Sequence, residues 1–199
     1  MIFTNGNSKM GKNVKCFNLP PLETCTPTKW CAKNCYALKG RHTFANVKAS
    51  HQRNLEMSKL AGFSIAATIE LDRWRGRYVR IHAAGDFYDE EYVNKWFLIC
   101  RAVPHKLFKA TTRRLDLREP LEKLAALPNV VVRASTDPSN CVGIGAFPVF
   151  AVPGTPVPDG HIMCNDDCEA CKYECWHNHA PVLAAKLYTG RSDSARHKS

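Results

Sequence analysis

Two periods of apolar residues alternate along the chain. Residues 77–84, Arg-Tyr-Val-Arg-Ile-His-Ala-Ala, alternate polar and apolar positions as a strand does. From residue 89 the period lengthens, and Tyr92, Val93, Trp96, Phe97, Cys100 and Val103 fall on one helical face. Asp89 is placed to cap that helix, Glu90 and Glu91 occupy its first turn, and Pro104 ends it. Further strands are predicted at 106–112, 129–134 and 147–152, with a short helix at 119–126 between the first two of them. Ahead of residue 77 the pattern predicts a short strand at 14–19 and a helix from Phe44 to about residue 60. Phe44, Val47, His51 and Leu55 share one stripe of that helix. A second helix runs from a Ser64 cap to about Trp74, with Ile65, Ile69, Ala67 and Leu71 on a broad apolar face. Residues 180–187 read as a last short helix and 191–199 as a frayed polar tail.

Strands and helices in this rhythm imply an α/β protein with a mainly parallel sheet. The division expected is a single domain over 1–190, with a cysteine loop at 16–36, a core at 44–152 and a cysteine-rich segment at 161–177. Ligands of such sheets gather at the carboxyl ends of the strands. That rule selects Gly85-Asp86-Phe87, Arg113-Arg114 and Ser135-Thr136-Asp137, each directly after a predicted strand. All three are expected to face one pocket, with the cysteine loop over the same edge.

Composition changes the picture at the cysteines. There are ten. The chain has no apolar run long enough to span a membrane, and its first residues lack the basic and apolar regions of a secretory signal. A cytoplasmic location is therefore expected, where thiols stay reduced and cysteines serve as metal ligands more than as bridges. Cys16 and Cys100 read as small buried hydrophobes. Cys25, Cys31 and Cys35 form C-x5-C-x3-C inside a Pro-containing loop that opens into a helix. Cys164, Cys168, Cys171 and Cys175 form C-x3-C-x2-C-x3-C. Four thiolates fill the coordination of a zinc ion or a 4Fe–4S cluster, whereas three leave one metal position open. Zinc is the rival metal for the second set, with His161, His177 and His179 nearby as ligands. The formal net charge is +10, which suits a nucleic acid or phosphate-rich partner as well as a simply basic surface. Gly6 to Asn13 nearly matches a phosphate-binding loop. Asn13 replaces the metal-binding hydroxyl and Pro20-Pro21 follow, so the stretch reads as a tight basic turn.

On an open-site cluster, the free iron can take the amino and carboxylate groups of S-adenosylmethionine, and one electron from the cluster cleaves the sulfonium. Asp86 is then a candidate acceptor for an ammonium, Ser135 and Thr136 for hydroxyls or carboxylate, and Asp137 for ribose hydroxyls. Arg113 or Arg114 is a candidate clamp on a carboxylate or phosphate, and Gly85 would admit close backbone approach.

Asn18-Leu-Pro, Trp30-Cys31-Ala-Lys-Asn-Cys35-Tyr36-Ala37 and Arg80-Ile-His-Ala-Ala-Gly85-Asp86-Phe87-Tyr88 resemble the phage-associated "gene product eighty-eight" proteins, with Cys168, Cys171, Cys175 and Trp176 fitting the same pattern up to residue 176. Those proteins look like small relatives of the radical S-adenosylmethionine superfamily. The resemblance implies a partial (β/α) barrel. It also implies a catalytic 4Fe–4S cluster on Cys25, Cys31 and Cys35, and a second, auxiliary cluster on the four later cysteines. Gly85-Asp86-Phe87 would then stand at the loop that meets the methionine amine, with Tyr36 beside the cluster, and a phage origin would place the protein in the host cytoplasm. The superfamily's common motif is C-x3-C-x2-C with an aromatic residue before the last cysteine. Here Asn34 holds that place and Tyr36 follows the cysteine.

Overall fold

The computed structural model describes residues 1–7, 9–140, 147–152, 155, 162–177 and 182–184. His161, His179 and the 191–199 tail lie outside that set. The framework is one sheet in the order β1-β2-β3-β4-β5-β6-β8-β7. Its strands are β1 (Thr4–Asn5), β2 (Val14–Phe17), β3 (Tyr78–Ile81), β4 (Leu107–Thr112), β5 (Val130–Thr136), β6 (Val149–Ala151), β7 (Ile162–Met163) and β8 (Val182–Ala184). Only β1 is antiparallel to its neighbour, and every other pairing is parallel. The α/β reading with a mainly parallel sheet therefore holds. Among the described residues no pairing joins β1 to β7, so the sheet is open in its hydrogen bonding.

From β1 to β6 the strand order follows the chain, with helices in the crossovers: α1 (Lys29–Asn34), α2 (Ala45–Lys59), α3 (Phe63–Arg73), α4 (Glu90–Ala102) and α5 (Arg118–Ala125). The last four helices supply one apolar core with alternate residues of the strands. Val79 and Ile81 of β3, Phe108 and Ala110 of β4, and Val130, Val132 and Ala134 of β5 pack there with Leu55, Phe63, Leu71, Trp96 and Leu121. Trp96 stands at the centre, 5.6 Å from the Phe17 ring and 6.0 Å from Phe63, both edge-on, as aromatic quadrupoles favour.

Helix α4 follows the sequence closely. Asp89 caps it, its carboxylate accepting the Tyr92 N–H at 2.8 Å, and Cys100 is core, as is Cys16 on β2. Helices α2 and α3 depart from their expected faces. Phe44 is exposed, and the buried side of α2 is His51, Asn54, Leu55 and Ser58. Asn54 donates to the Asn18 carbonyl and Ser58 bonds the Tyr88 hydroxyl, so hydrogen bonds take the place of an apolar stripe. In α3 the cap is Gly62 rather than Ser64, and Phe63, Ala67 and Leu71 are buried while Ile65 and Ile69 face outward. The stretch 180–187, expected as helix, contains strand β8. Parallel partners on both sides, β6 and β7, override the local helical pattern. The near-match to a phosphate loop is a tight β1–β2 connection, in which Asn7 accepts from the Met10 and Gly11 N–H groups.

Candidate functional site

Parallel strands present two faces, and here helices α2 to α5 pack against one of them. Arg80 of β3, Thr111 of β4, Arg113 just beyond it and Ser135 of β5 project from the opposite face into a cavity of about 140 Å³. The roof is the cysteine loop: Cys25, Cys31, Cys35, Trp30 and Tyr36 line the same space, with Gly85 and Asp86 on its wall. Three separate strand ends and the first cysteine set are thus brought together at the carboxyl edge of the sheet.

The roof is fastened at both ends. Thr28 caps α1, accepting the Cys31 N–H at 3.0 Å, and its hydroxyl donates to Asp137 at 2.6 Å. Asp137 also accepts the Ser139 N–H and hydroxyl, at 2.9 and 2.6 Å, and lies 3.4 Å from the Arg113 guanidinium. Burial pushes Asp137 up, but the bonds from Ser139 and Thr28 and the charge of Arg113 outweigh it and hold the carboxyl below its ordinary range. Tyr36 donates its hydroxyl to the Ala83 carbonyl. Asn18, at the end of β2, accepts the Ala83 and Ala84 N–H groups at 2.7 and 3.2 Å.

Gly85 has φ +82°, and a Cβ there would lie 2.5 Å from the Leu19 side chain and 2.8 Å from the Thr24 hydroxyl. The glycine is thus required where the loop after β3 closes on the cysteine loop, in a left-handed conformation. Asp86 is buried, and both its oxygens are engaged. One accepts the Thr112 hydroxyl at 2.6 Å and the Phe87 N–H at 2.8 Å, and the other accepts the Arg113 N–H at 2.9 Å. Burial raises its pKa to about 6, against the lowering effect of those bonds. Asp86 therefore braces the end of β3 to the end of β4 while showing an edge to the cavity.

The two arginines separate. Arg114 donates to the Phe87 and Tyr88 carbonyls at 2.7 and 2.8 Å and pairs with Asp116, a structural bolt. Arg113 lines the cavity, and its buried Nε and Nη2 make no hydrogen bond. Phe87 points into the core against His82 and Tyr92. Thr136 is buried, its carbonyl accepting the Val152 N–H. Of the predicted ligand residues, Tyr36, Gly85, Asp86, Arg113 and Ser135 line the cavity, while Phe87, Thr136 and Asp137 support it from behind. Arg80, Trp30 and Thr28 are not among the predicted ligand residues. The signal for Arg80 was a charged residue inside a strand that parallel pairing on both sides buries.

Cys25, Cys31 and Cys35 are free thiols. Burial pushes Cys25 up to about 11 and also raises Cys31, with Arg113 pulling Cys31 the other way. Among the described residues no three His, Cys, Asp or Glu side chains converge closely enough to hold one metal ion. A donor set of three soft thiols on one cavity nonetheless suits a thiophilic centre larger than a single ion, whose binding would displace the thiol protons. The second set lies elsewhere on the same sheet face. Cys168 and Cys175 pack with Tyr173 and Trp176 against Val14, Cys16, Tyr78 and Leu107. His177 approaches the Tyr78 hydroxyl at 3.3 Å.

No helix of the described residues is long and apolar enough to cross a membrane. Comparison with curated proteins and with solved structures returns no match. A family match covers residues 1–152, the sheet through β6 and the whole cysteine loop. It ends short of the second cysteine set, which the sequence resemblance had extended to residue 176. On that match the chain belongs to the gene product 88 family.

Proposed function

We propose that this is an iron–sulfur protein whose cavity at the ends of β3, β4 and β5 holds a 4Fe–4S cluster on Cys25, Cys31 and Cys35. The cavity would also hold a ligand of the S-adenosylmethionine type, in the manner of a small radical S-adenosylmethionine relative with a partial barrel. The observation that carries this reading is that three free cysteines share one cavity with Gly85, Asp86, Arg113 and Ser135. A cluster with one open iron, when bound, supplies coordination for an amino and a carboxylate group and a source of single electrons. The chain's own groups then have separable tasks. Arg113, with donors to spare, binds a carboxylate or phosphate, and Ser135 offers a hydroxyl to the same ligand. Trp30, Phe150 and Val152 give the cavity an apolar wall that excludes water. Asp86 and Asp137 hold the strand ends and α1 in register. Cys164, Cys168, Cys171 and Cys175 hold a second, auxiliary centre, of iron–sulfur or zinc.

The test is anaerobic reconstitution with iron and sulfide. Metal is counted per chain, and EPR spectra of the reduced protein are recorded with and without S-adenosylmethionine. About eight irons, or about four with zinc in the second site, is the expected content. The spectrum should shift on adding S-adenosylmethionine in the wild type and not in Cys35→Ala. One or two zinc ions and no iron would overturn the reading, and would leave a basic metal protein whose +10 charge points to nucleic acid, checked by binding that weakens steeply with salt.

A further inference from the structure

The cavity carries two polar groups to which the proposed cofactor and its ligand assign no task. Arg80 of β3 lines it, together with Thr111 of β4, Tyr36 and Ala83. Among the described residues the Arg80 side chain makes one hydrogen bond, its Nε donating to the His82 carbonyl at 3.2 Å, and it joins no carboxylate ion pair. That bond turns the guanidinium toward the carboxyl end of its strand. His82 and Thr111 are the next residues after the registered pair Ile81 and Ala110, so the guanidinium reaches the level of Thr111 on the neighbouring strand. The Thr111 hydroxyl is buried and has no hydrogen-bond partner. Arg113 and Ser135, each one step beyond the registered pair Thr112 and Ala134, stand nearer the carboxyl edge. Their backbone positions lie two residues, roughly 7 Å, past the level of Thr111.

A half-buried guanidinium within a parallel sheet, whose strands are ordinarily apolar, is costly unless acceptors meet it. It offers five donors and no acceptor, and its planar fork matches the paired oxygens of a carboxylate or phosphate. The two carboxylates of the site are committed elsewhere. Asp86 accepts from Thr112 and from the Phe87 and Arg113 N–H groups, and Asp137 from Thr28 and Ser139. The roof points to the same ligand charge. Between Glu23 and Glu56 the chain has no acidic residue, while Lys29, Lys33, Lys39, Arg41, Lys48 and Arg53 are exposed there. A positive field of this kind raises the local concentration of anions at the cavity.

We propose that Arg80 and Thr111 form a second oxyanion subsite in this cavity, which takes a carboxylate or phosphate group of an anionic substrate. That the bound molecule is a substrate rests on the proposed reading of the cavity, whereas the binding itself needs no metal. The guanidinium of Arg80 grips the oxyanion through charge-assisted bonds, and the Thr111 hydroxyl donates to the same group. Arg113 and Ser135 remain with the first ligand, so two anionic groups are held at two levels of one sheet face.

The experiment uses the full-length, anaerobically reconstituted protein and two probes, inorganic phosphate and malonate, titrated by calorimetry at constant ionic strength. Saturable binding of one probe per chain is expected, and the tighter probe names the group that the subsite takes. Arg80→Gln should weaken it about 10- to 100-fold, the range for loss of bonds to a charged group, and Thr111→Val about 2- to 10-fold. Arg80→Lys, which keeps the charge and loses the fork, should fall between wild type and Arg80→Gln. The EPR shift on adding S-adenosylmethionine should persist in Arg80→Gln, because that ligand is held at Arg113. No binding of either probe, or wild-type affinity in Arg80→Gln, would overturn the inference, and an EPR shift that persisted would leave the reading of the cavity in place. Thr111→Val decides if Arg80→Gln does not fold. A loss in Lys33→Gln, on exposed α1, as large as that in Arg80→Gln would assign the binding to the basic surface and overturn the subsite. Probe binding that depends on Arg80 in a protein whose EPR spectrum ignores S-adenosylmethionine would keep the subsite and remove the radical reading.

Discussion

At Asp86, burial and hydrogen bonding act in opposite directions, and burial wins. Its pKa in the folded chain is about 6, against 3.8 for the free side chain. The native state therefore binds the proton more tightly than the unfolded chain. The resulting stabilisation is complete below about pH 4 and is lost as the pH rises through about 6. A shift of this size is worth up to about 3 kcal/mol. In Asp86→Asn the titrating group is gone. The stability of wild type minus that of the variant, from urea unfolding of the metal-free proteins, should fall as the pH goes from 4 to 7. Parallel curves for the two proteins would mean that Asp86 does not titrate in that window. His82 works in the other sense. Burial pushes it down to about 3, so between that value and its ordinary one only the unfolded chain takes up the proton, and acid weakens the fold. The wild-type profile is the sum of opposing contributions, and only the difference against the variant isolates Asp86.

At the level of elements, the cysteine loop depends on a six-residue helix, α1, that has no buried residue of its own. Such a helix is not stable by propensity, and what holds it is the Thr28 hydroxyl, shared between the Cys31 N–H and Asp137. Thr28→Val keeps the shape and removes both bonds. The expected loss is about 1–3 kcal/mol in urea unfolding, combining an N-cap with a hydrogen bond to a charged group. Iron uptake at the three-cysteine cavity should slow in parallel, and Thr28→Ser should recover both; unimpaired uptake would show that α1 is held by something else. None of this was legible beforehand, because residues 28 and 137 are joined across the fold and no local pattern records the pairing. What was legible lay in strong, local signals. Strands predicted at 106–112 and 129–134 appear as β4 and β5, and Asp89 caps α4 as its spacing required. The three strand-end sites converge on one edge because parallel order and alternation dictate it. The face of α2 was misread because polar side chains satisfied by Asn18 and Tyr88 replace the apolar stripe. Strand β8 was misread because its conformation is set by partners distant in sequence.

For the whole molecule, one face of the sheet is closed by helices and the other by two cysteine-bearing segments, so metal and fold are expected to be coupled. Arg80 lines the first cavity and is the registered partner of Lys109 on β4. Truncation after residue 177 removes β8, the partner of both β6 and β7. The shortened chain should associate through the bared edge of β6, read as a concentration-dependent rise in mass by light scattering. A truncated chain that stays monomeric would mean that the edge is protected in another way. The position of β8 also bears on biosynthesis. The ribosome delivers the chain from the N-terminus, and strands β1 to β6 can pair in the order in which they emerge. The next strand made, β7, has no seat until β8 has been synthesised and inserted between it and β6. The second cysteine set is translated in that interval, so a nascent chain would offer its thiols to a metal donor before the sheet that finally encloses them is complete.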